Sequence, residues 1–326
     1  MRILFLGSSD FALPTFDSLR NDGHEIVAVV TQPDKEQGRG RRLTPTPVKS
    51  AALAAGIPVL TPVKINAPDV VAHIRSLGAE LAYTAAFGQK IGRDLLNAFP
   101  VGIINLHPSL LPALRGAAPV QWSVINHDAE TGVTIFRLVE EMDAGPILVQ
   151  RRTAIQPDET ADELLQRLAR VGCDAARAAV EILKADPGAP GTPQDPAGVT
   201  IARKLKKEDG YIRFDQPVAG LAARIRGLWS WPGAMCRFRS ADGSRDEQVV
   251  LARAIPYEGK AVPAPTPDDL GRITDMLAMQ GADREMTILE IKPANGKLMD
   301  WRSFVNGRHI RPGDRFVPIV PPGGSP

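Results

Sequence analysis

The stretch from Val101 to Pro119, VGIINLHPSLLPALRGAAP, constrains the fold more than any other part of the chain. Its apolar start predicts a buried strand, which Pro108 ends. Because side chains alternate along a strand, Asn105 and His107 lie on one side and Leu106 on the other. An amide and an imidazole therefore lie together at the carboxyl end of a buried strand, which in open α/β sheets is the edge where ligands bind.

Asp143, in the string EMDAG that starts at Glu141, completes a candidate catalytic trio with Asn105 and His107. An Asn can donate a hydrogen bond to a developing oxyanion, a His can move a proton, and an Asp can orient or charge-stabilise the His. Taken singly, a strand-end Asn or His is more often an ordinary hydrogen-bonded polar group, and SLLP is an ordinary loop. The hypothesis of a site therefore depends on the whole string.

A length of 326 residues allows one large domain or two ordinary ones. The net charge is only +2, so the chain as a whole is not a polycation. From Thr200 onward, Lys and Arg number 20 and Asp and Glu 15. The second half is therefore the better partner for an anion. Cys173 and Cys236 show no C-x-x-C spacing, which argues against a disulfide framework and against a bound metal. The apolar run after Met1 is too short for a signal peptide, and no run reaches membrane-spanning length, so we expect a cytoplasmic protein.

The order of predicted elements favours an α/β fold with a doubly wound, mostly parallel, Rossmann-like sheet. Short apolar strands alternate with helices as far as residue 184, and the turn after the first strand has only Gly7, which rules out a dinucleotide fingerprint. The segment DPGAPGTPQDPAGV, 186–199, is typical of a linker. Short strands after it predict a small β-barrel. We therefore expect a catalytic domain at 1–185, a linker at 186–203 and a second domain at 204–326.

Several strings of the chain resemble one enzyme family. N-x-H-x-S-L-L-P-x-x-R-G-A-A-P, from Asn105 to Pro119, together with M-D-x-G from Met142, resembles the formyltetrahydrofolate-dependent formyltransferase superfamily. The insertion from Thr31 to Lys49, T-Q-P-D-x-x-x-G-R-G-x-x-L-x-P-x-P-V-K, resembles the branch that acts on initiator methionyl-tRNA. A-x-K-L-x-K-E-D-G, from Ala202, resembles the start of the family's C-terminal domain, so the likeness spans nearly the full chain.

The resemblance implies transfer of a formyl group from 10-formyltetrahydrofolate, as co-substrate, to the amino group of methionine on initiator methionyl-tRNA, for translation initiation. The acceptor amine is itself the nucleophile, so no Ser or Cys nucleophile and no metal is needed. Asn105 and protonated His107 are expected to stabilise the oxyanion, and Asp143 to set the pKa and orientation of His107. Arg115 is expected to shape the pocket. The second domain is expected to be OB-like and to bind tRNA.

The same resemblance suggests which residues contact the two substrates. Those expected to bind folate are Phe87, Gly88, Ile91, Ser109, Leu110, Leu111 and Pro112. The family string Y-G-x-I-L-P is altered there, with Phe87 in place of Tyr and Gly92 in place of Pro. Those expected to bind tRNA phosphates are Arg39, Arg41 and Arg42 in the insertion, and Lys204, Lys206 and Lys207, beside Arg203, in the second domain.

Two other hypotheses stay open at this point. A small amine or water could replace tRNA as the acceptor, although the insertion around Arg39 and the second domain argue against this. The chain could also be an RNA-binding protein with an inactive catalytic fold, against which the intact Asn105, His107 and Asp143 argue. We expect a monomer that does not associate with membranes.

Overall fold

The computed structural model describes residues 1–37, 42–258 and 265–319. Contacts divide the chain into two compact units. The first unit comprises Met1–Ala117, Thr131–Thr153 and Leu165–Ala202, and the second comprises Ala118–Glu130, Ala154–Leu164 and Arg203–Pro326.

Strands and short helices alternate through the first part of the chain, and strands dominate the second. The strands are β1 (Arg2–Gly7), β2 (Glu25–Val30), β3 (Lys35–Gln37), β4 (Arg42–Thr44), β5 (Val59–Leu60), β6 (Leu81–Ala85), β7 (Gly102–His107), β8 (Arg115–Gly116), β9 (Glu130–Arg137), β10 (Ile147–Ala154), β11 (Ile201–Ala202), β12 (Ala234–Arg239), β13 (Asp246–Pro256), β14 (Met279–Gln280), β15 (Glu285–Pro293), β16 (Met299–Asp300) and β17 (Arg315–Pro318). The α-helices are α1 (Leu13–Asn21), α2 (Pro47–Ala54), α3 (Pro68–Ser76), α4 (Arg93–Leu96), α5 (Pro119–Ile125), α6 (Ala161–Ala185), α7 (Val218–Leu228) and α8 (Trp301–Arg308).

The main sheet of the first unit has seven strands in the order β10-β9-β7-β6-β1-β2-β5. β1 is parallel to β2 and β6, β6 is parallel to β7, and β2 is parallel to β5, whereas β9 runs antiparallel to β7. The prediction of a mostly parallel, Rossmann-like sheet is confirmed. Parallel neighbours bring the carboxyl ends of β6 and β7 together, with Thr84 opposite Asn105.

The central strands are buried on both faces, as expected for a parallel sheet. Ile3, Leu4, Phe5 and Leu6 of β1 are fully buried. The Phe5 ring stacks on Tyr83 of β6 at 5.5 Å between centroids. This packing fixes the strands whose ends carry the candidate site.

The polar insertion after β2 contains the two-stranded hairpin β3–β4, where sequence reasoning expected only a loop. Its base is held by an ion pair in which both Asp34 carboxylate oxygens accept from Lys49 Nζ at 2.8 Å. The hydroxyls of Thr31 and Thr46 are 2.7 Å apart, and Thr46 also caps α2 by accepting from Lys49 N. The base of the hairpin is therefore fixed to the sheet and to α2.

The segment predicted as a linker is bonded into the first unit. Arg137 donates to the carbonyl oxygens of Ala189 at 2.7 Å and Pro187 at 2.8 Å. Ile147 and Thr192 exchange two backbone hydrogen bonds, and β11 pairs in parallel with β8. The domain bounds expected from the sequence stay a prediction.

The second unit is built on an antiparallel sheet in the order β14-β15-β13-β12-β17, with β16 beside β15. The gap between β14 and β17 is bridged by 271–273: Gly271 N donates to Gln280 O and Phe316 N donates to Gly271 O. Helix α7 buries Leu221 and Ile225 in the same core as β13. The predicted β-barrel is confirmed and is nearly closed.

Gly271 should be essential for closing this barrel. Its φ is +80°, and an added Cβ would lie 2.1 Å from Phe316 O. Gly271→Ala should therefore lower the free energy of unfolding by about 3 kcal/mol or more, through a backbone clash added to conformational strain. Urea unfolding followed by circular dichroism measures this loss.

Gly243→Ala is the matched control, because Gly243 has φ +72° with open space around its Cβ position. It should cost only about 1 kcal/mol, the strain alone. Equal losses in the two variants would contradict the closure argument.

Candidate active site

Asn105 lies at the end of β7 with its side chain half-buried. Its Oδ1 accepts a hydrogen bond from Thr84 Oγ1 at 3.3 Å, across the β6–β7 pair. In this arrangement Oδ1 is the acceptor atom and Nδ2 is turned the other way. No group among the described residues accepts from Nδ2, so Asn105 presents an unused donor at the carboxyl edge of the sheet.

His107 is two residues further along β7, and its ring is 5% exposed. Nε2 lies 2.9 Å from Leu114 O. Because a carbonyl oxygen only accepts, Nε2 carries a proton in this bond. Nδ1 faces Asp143 Oδ2 at 3.7 Å, and Phe136 packs edge-on against the ring at 6.5 Å between centroids. The imidazole is thus held at one nitrogen, and its other nitrogen is directed at a carboxylate.

Burial lowers the pKa of His107, and the Asp143 carboxylate and the Leu114 carbonyl raise it by less. The resting ring is therefore neutral near pH 7, with the proton on Nε2 and a basic Nδ1. The role expected from the sequence, in which protonated His107 stabilises the oxyanion, concerns the ring during the reaction and not at rest, and it stays a prediction. A proton taken up at Nδ1 would have two acceptors beside the ring to stabilise it.

Asp143 has a left-handed backbone conformation, with φ 51°. Its Oδ2 accepts from Gly116 N at 2.8 Å, so one carboxylate oxygen both anchors the loop after β7 and faces His107. The trio expected from the sequence is therefore brought together within the first unit.

Arg115 is 9% exposed and lies beside the trio. Its guanidinium donates to Glu141 Oε1 at 3.2 Å and, through two nitrogens, to Gln194 Oε1. Gln194 was missed by sequence reasoning because it lies in the Pro- and Gly-rich segment. The sequence offers only one hint, a single long amide side chain in a segment of mostly small residues, and that hint does not predict which residues the side chain contacts.

The residues expected to bind folate after β6 divide between the core and the surface. Phe87 and Ile91 are 3% and 5% exposed and pack in the core beneath the sheet edge. Phe87 O accepts from Ser8 Oγ and Gln32 Nε2, each at 3.1 Å. Gly88 is exposed, with φ +88°. Folate contact at these positions stays a prediction.

The other expected folate residues form the loop Ser109–Pro112 beside His107. Thr134 braces this loop, since its Oγ1 donates to Ser109 O at 2.7 Å and accepts from Leu111 N at 3.1 Å. Gln150 Nε2 donates to Leu111 O at 2.7 Å. Leu110 is half-buried against Gly132, so hydrogen bonds and packing both hold this loop in place.

The basic residues expected to bind tRNA have different surroundings. Arg39 and Arg41 lie outside the described residues, and Arg42 is exposed on β4. Lys204, Lys206 and Lys207 are exposed and form no ion pair among the described residues. Arg203, by contrast, is bound to Asp209 by two hydrogen bonds and lies over the Trp122 ring at 4.9 Å. The bond to Arg203 lowers the pKa of Asp209 to about 2.

Within 1–37, 42–258 and 265–319, no three or more His, Cys, Asp or Glu side chains are grouped to hold a metal ion. No helix in these ranges has the length and apolar character needed to cross a membrane.

Comparison with known families places the chain in one of them. Residues 1–180 match the family described as Formyl transferase, and residues 204–309 match Formyl transferase, C-terminal domain. The chain belongs to the formyl transferase family.

Curated relatives extend over the whole chain. It is 38% identical to the methionyl-tRNA formyltransferase of Symbiobacterium thermophilum, over 100% of this chain and 98% of that protein. It is 37% identical to the methionyl-tRNA formyltransferase of Solibacter usitatus, over 97% of this chain and 98% of that protein.

Solved structures share the fold at low identity. The sugar 3N-formyl transferase WlaRD superposes with a TM-score of 0.62 at 16% identity, over 88% of this chain and 96% of that one. HypX from Aquifex aeolicus, in complex with tetrahydrofolic acid, superposes with a TM-score of 0.61 at 17% identity, over 94% of this chain and 47% of that one.

The buried environment of His107 can be tested by titration. The chain has five His, and the His107 signal is identified in NMR spectra by its loss in a His107→Asn variant. Its pKa should be below 6.5 because burial disfavours the imidazolium. Asp143→Asn should lower it further, since the opposing carboxylate charge is removed. A His107 pKa above 6.5, or a rise in Asp143→Asn, would contradict this electrostatic description.

The lowered pKa of His107 also makes the free energy of unfolding depend on pH. Between the pKa of His107 in the folded chain and 6.5, the unfolded chain binds more protons than the folded one. The contribution of His107 to the free energy of unfolding is therefore complete above pH 6.5 and is lost as the pH falls through the folded pKa.

Proposed function

We infer that this chain transfers a formyl group from 10-formyltetrahydrofolate to the amino group of methionine on initiator methionyl-tRNA. The inference is carried by the grouping of Asn105, His107 and Asp143 at the carboxyl end of β7. That grouping occurs in a chain that matches methionyl-tRNA formyltransferases over its full length. When bound, the folate supplies the activated formyl group.

The residues at this edge suit such a co-substrate. Asn105 Nδ2 is an unused donor with a fixed direction, because Thr84 holds the other end of the amide. The braced loop Ser109–Pro112 provides a preformed wall, and preformed walls reduce the entropy cost of binding. We propose that Ser109, Leu110, Leu111 and Pro112, together with Phe87, Gly88 and Ile91, line the folate site.

We propose that His107 is the proton carrier. A neutral amine must attack the formyl carbon, and the nitrogen then has to lose a proton. His107 Nδ1 is basic at rest and takes up that proton, and the imidazolium is stabilised by Asp143 and by Leu114 O. His107 then passes the proton to the folate nitrogen as the bond from that nitrogen to the formyl carbon breaks.

Asn105 stabilises the negative charge that develops on the formyl oxygen. Its Nδ2 donates a hydrogen bond to that oxygen as the new carbon–nitrogen bond forms. One preorganised donor of this kind is typically worth about 3 kcal/mol of barrier. The positive charge of the protonated His107 also stabilises this oxygen, so proton transfer and oxyanion stabilisation are coupled in one residue.

The acceptor is proposed to be a tRNA rather than a small amine because of two basic surfaces. The hairpin β3–β4 has a fixed base at Asp34 and Lys49 and carries Arg42 on its exposed face, with Arg39 and Arg41 at its tip in sequence. Lys204, Lys206 and Lys207 project from the start of the second unit with no described acid paired to them. Solvated cations of this kind suit phosphates.

We further propose a catalytic domain at 1–185, a linker at 186–203 and a tRNA-binding domain at 204–326, in a cytoplasmic monomer. Two free cysteines, of which Cys236 is buried, fit a reducing compartment. Light scattering on the purified chain, of 35.1 kDa, measures the oligomeric state, and a dimer mass would contradict the monomer.

Asn105→Ala should lower the single-turnover rate of methionyl-tRNA formylation by about a hundredfold, because one oxyanion donor is lost. Asp143→Ala should have an effect of similar size, since His107 loses the charge that stabilises its protonated form. Rapid-quench formylation assays with saturating folate and tRNA measure both rates.

Asn97→Ala is the control for these variants, because Asn97 is exposed at the end of α4, away from the trio in sequence and without a side-chain bond to another described residue. It should react at the wild-type rate. Near wild-type rates in Asn105→Ala or Asp143→Ala would remove that residue from the mechanism.

Replacing Arg39, Arg41 and Arg42 with Ala should weaken the use of tRNA and flatten its salt dependence. Each lost phosphate contact should reduce the slope of log affinity against log salt by roughly 0.7 to 0.9. Folate binding should be unchanged, because the Asn105 site is built on other strand ends. Formylation rates measured over a salt series, beside folate binding by calorimetry, test both statements.

A control variant removes the same number of charges elsewhere, at Arg20, Arg75 and Arg151, which are exposed. It should keep the wild-type slope. The same salt series on Ala variants of Lys204, Lys206 and Lys207 tests the second surface. A hairpin variant that matches wild type in rate and slope would favour a small-molecule acceptor.

A further inference from the structure

The segment 186–202 contributes two side chains to the surroundings of the trio. The first is Gln194, whose amide is fully used. Its Oε1 accepts from Arg115 Nε at 3.1 Å and Nη2 at 2.8 Å, and its Nε2 donates to the carbonyl oxygens of Asp143 and Gly145, each at 2.8 Å. A primary amide has two donor hydrogens and two acceptor lone pairs, so no capacity is left over.

One of these four bonds holds a residue that has an unfavourable backbone conformation. Asp143 has φ 51°, a region that non-glycine residues occupy only when their surroundings impose it. Gln194 holds its carbonyl oxygen, and Gly116 N holds its carboxylate. Because Gln194 also binds Arg115, the neighbour of Gly116, a single side chain holds both loops that position Asp143.

The second side chain is Thr200, which acts on His107 through Leu114. Thr200 Oγ1 accepts from Leu114 N at 2.8 Å, and Thr200 O accepts from Arg115 N at 2.9 Å. Leu114 has φ 60°, and its carbonyl oxygen is the acceptor for His107 Nε2. Thr200 therefore fixes the peptide that sets the orientation and tautomer of the imidazole.

We propose that Gln194 and Thr200 are positioning residues of the active site. The segment between the two family domains then holds catalytic side chains in place. Gln194 sets the geometry of Asp143, and Thr200 sets that of His107. The inference rests on the proposed formyl transfer by Asn105, His107 and Asp143. It adds two positioning residues that are distant in sequence: Gln194 is 51 positions from Asp143, and Thr200 is 86 positions from Leu114.

Three variants separate positioning from folding. Gln194→Glu keeps the acceptor oxygen for Arg115 but replaces Nε2, which donates to both Asp143 O and Gly145 O, with one oxygen that repels these two carbonyl oxygens. It should lower kcat by about ten- to a hundredfold, with KM for both substrates within about twofold, because small displacements of catalytic groups reduce rate rather than binding. Thr200→Val should lower kcat about tenfold, whereas Thr200→Ser keeps the oxygen and should restore a rate within about twofold of wild type.

Thr192→Val is the matched control, because Thr192 lies in the same segment and its side chain is exposed with no bond to another described residue. It should match wild type. Calorimetric melting of each variant shows whether it is folded. Wild-type kcat in both Gln194→Glu and Thr200→Val would overturn the proposal, as would equal losses in Thr200→Val and Thr200→Ser.

The NMR signal of the His107 ring gives a readout that needs no substrate. It should shift in Thr200→Val and in Gln194→Glu, and stay in place in Thr200→Ser and Thr192→Val. An unchanged signal in the first two variants would overturn the positioning role whatever the substrate is. If wild type fails to formylate methionyl-tRNA while the ring signal responds as expected, the proposed function falls and the positioning of His107 stands.

Discussion

The hydrogen bond from Gly116 N to Asp143 Oδ2, at 2.8 Å, is the contact on which the candidate site depends. It joins the loop after β7 to the loop after β9, and it directs a carboxylate at His107. Leu114 and Asp143, one on each of these loops, have left-handed backbone, at a cost of about 1 kcal/mol or more for each residue. Such conformations persist only when other bonds over-determine them, which is what the side chains from the segment 186–202 provide.

Basic residues that are not already paired with an acidic side chain are the ones available to bind a polyanion, so the total number of Lys and Arg matters less than the number left unpaired. The second half of the chain has an excess of Lys and Arg, yet many of its arginines are committed. Arg203 binds Asp209, Arg213 binds Asp215, and Arg253 binds Glu163 and Glu290. The lysines beside Arg203 have no described acidic partner. The counterion release that drives phosphate binding is therefore expected from them and not from the paired guanidinium groups.

Local patterns in the sequence predicted most of the fold and the trio, and long-range bonds explain what they missed. The strand predicted before Pro108 is present as β7, because an apolar run and the proline that ends it are local signals. Helix α8 was missed, although Asp300 caps it by accepting from Ser303 N. Gln194 and Thr200 could not be found from composition, since a Pro- and Gly-rich segment predicts a linker whether or not its side chains reach a distant loop.

The chemistry of the site follows from which groups can be nucleophiles. Burial raises the pKa of Cys173 and, far more, of Cys236, so both thiols stay protonated near pH 7. Ser109 donates its hydroxyl proton to Ala113 O. The attacking atom must then come from the substrate, and the protein has to supply only a base that is neutral at rest and donors that are fixed in direction. A catalyst of this kind depends on geometry more than on reactive groups, which is why hydrogen bonds from a segment far away in sequence matter to it.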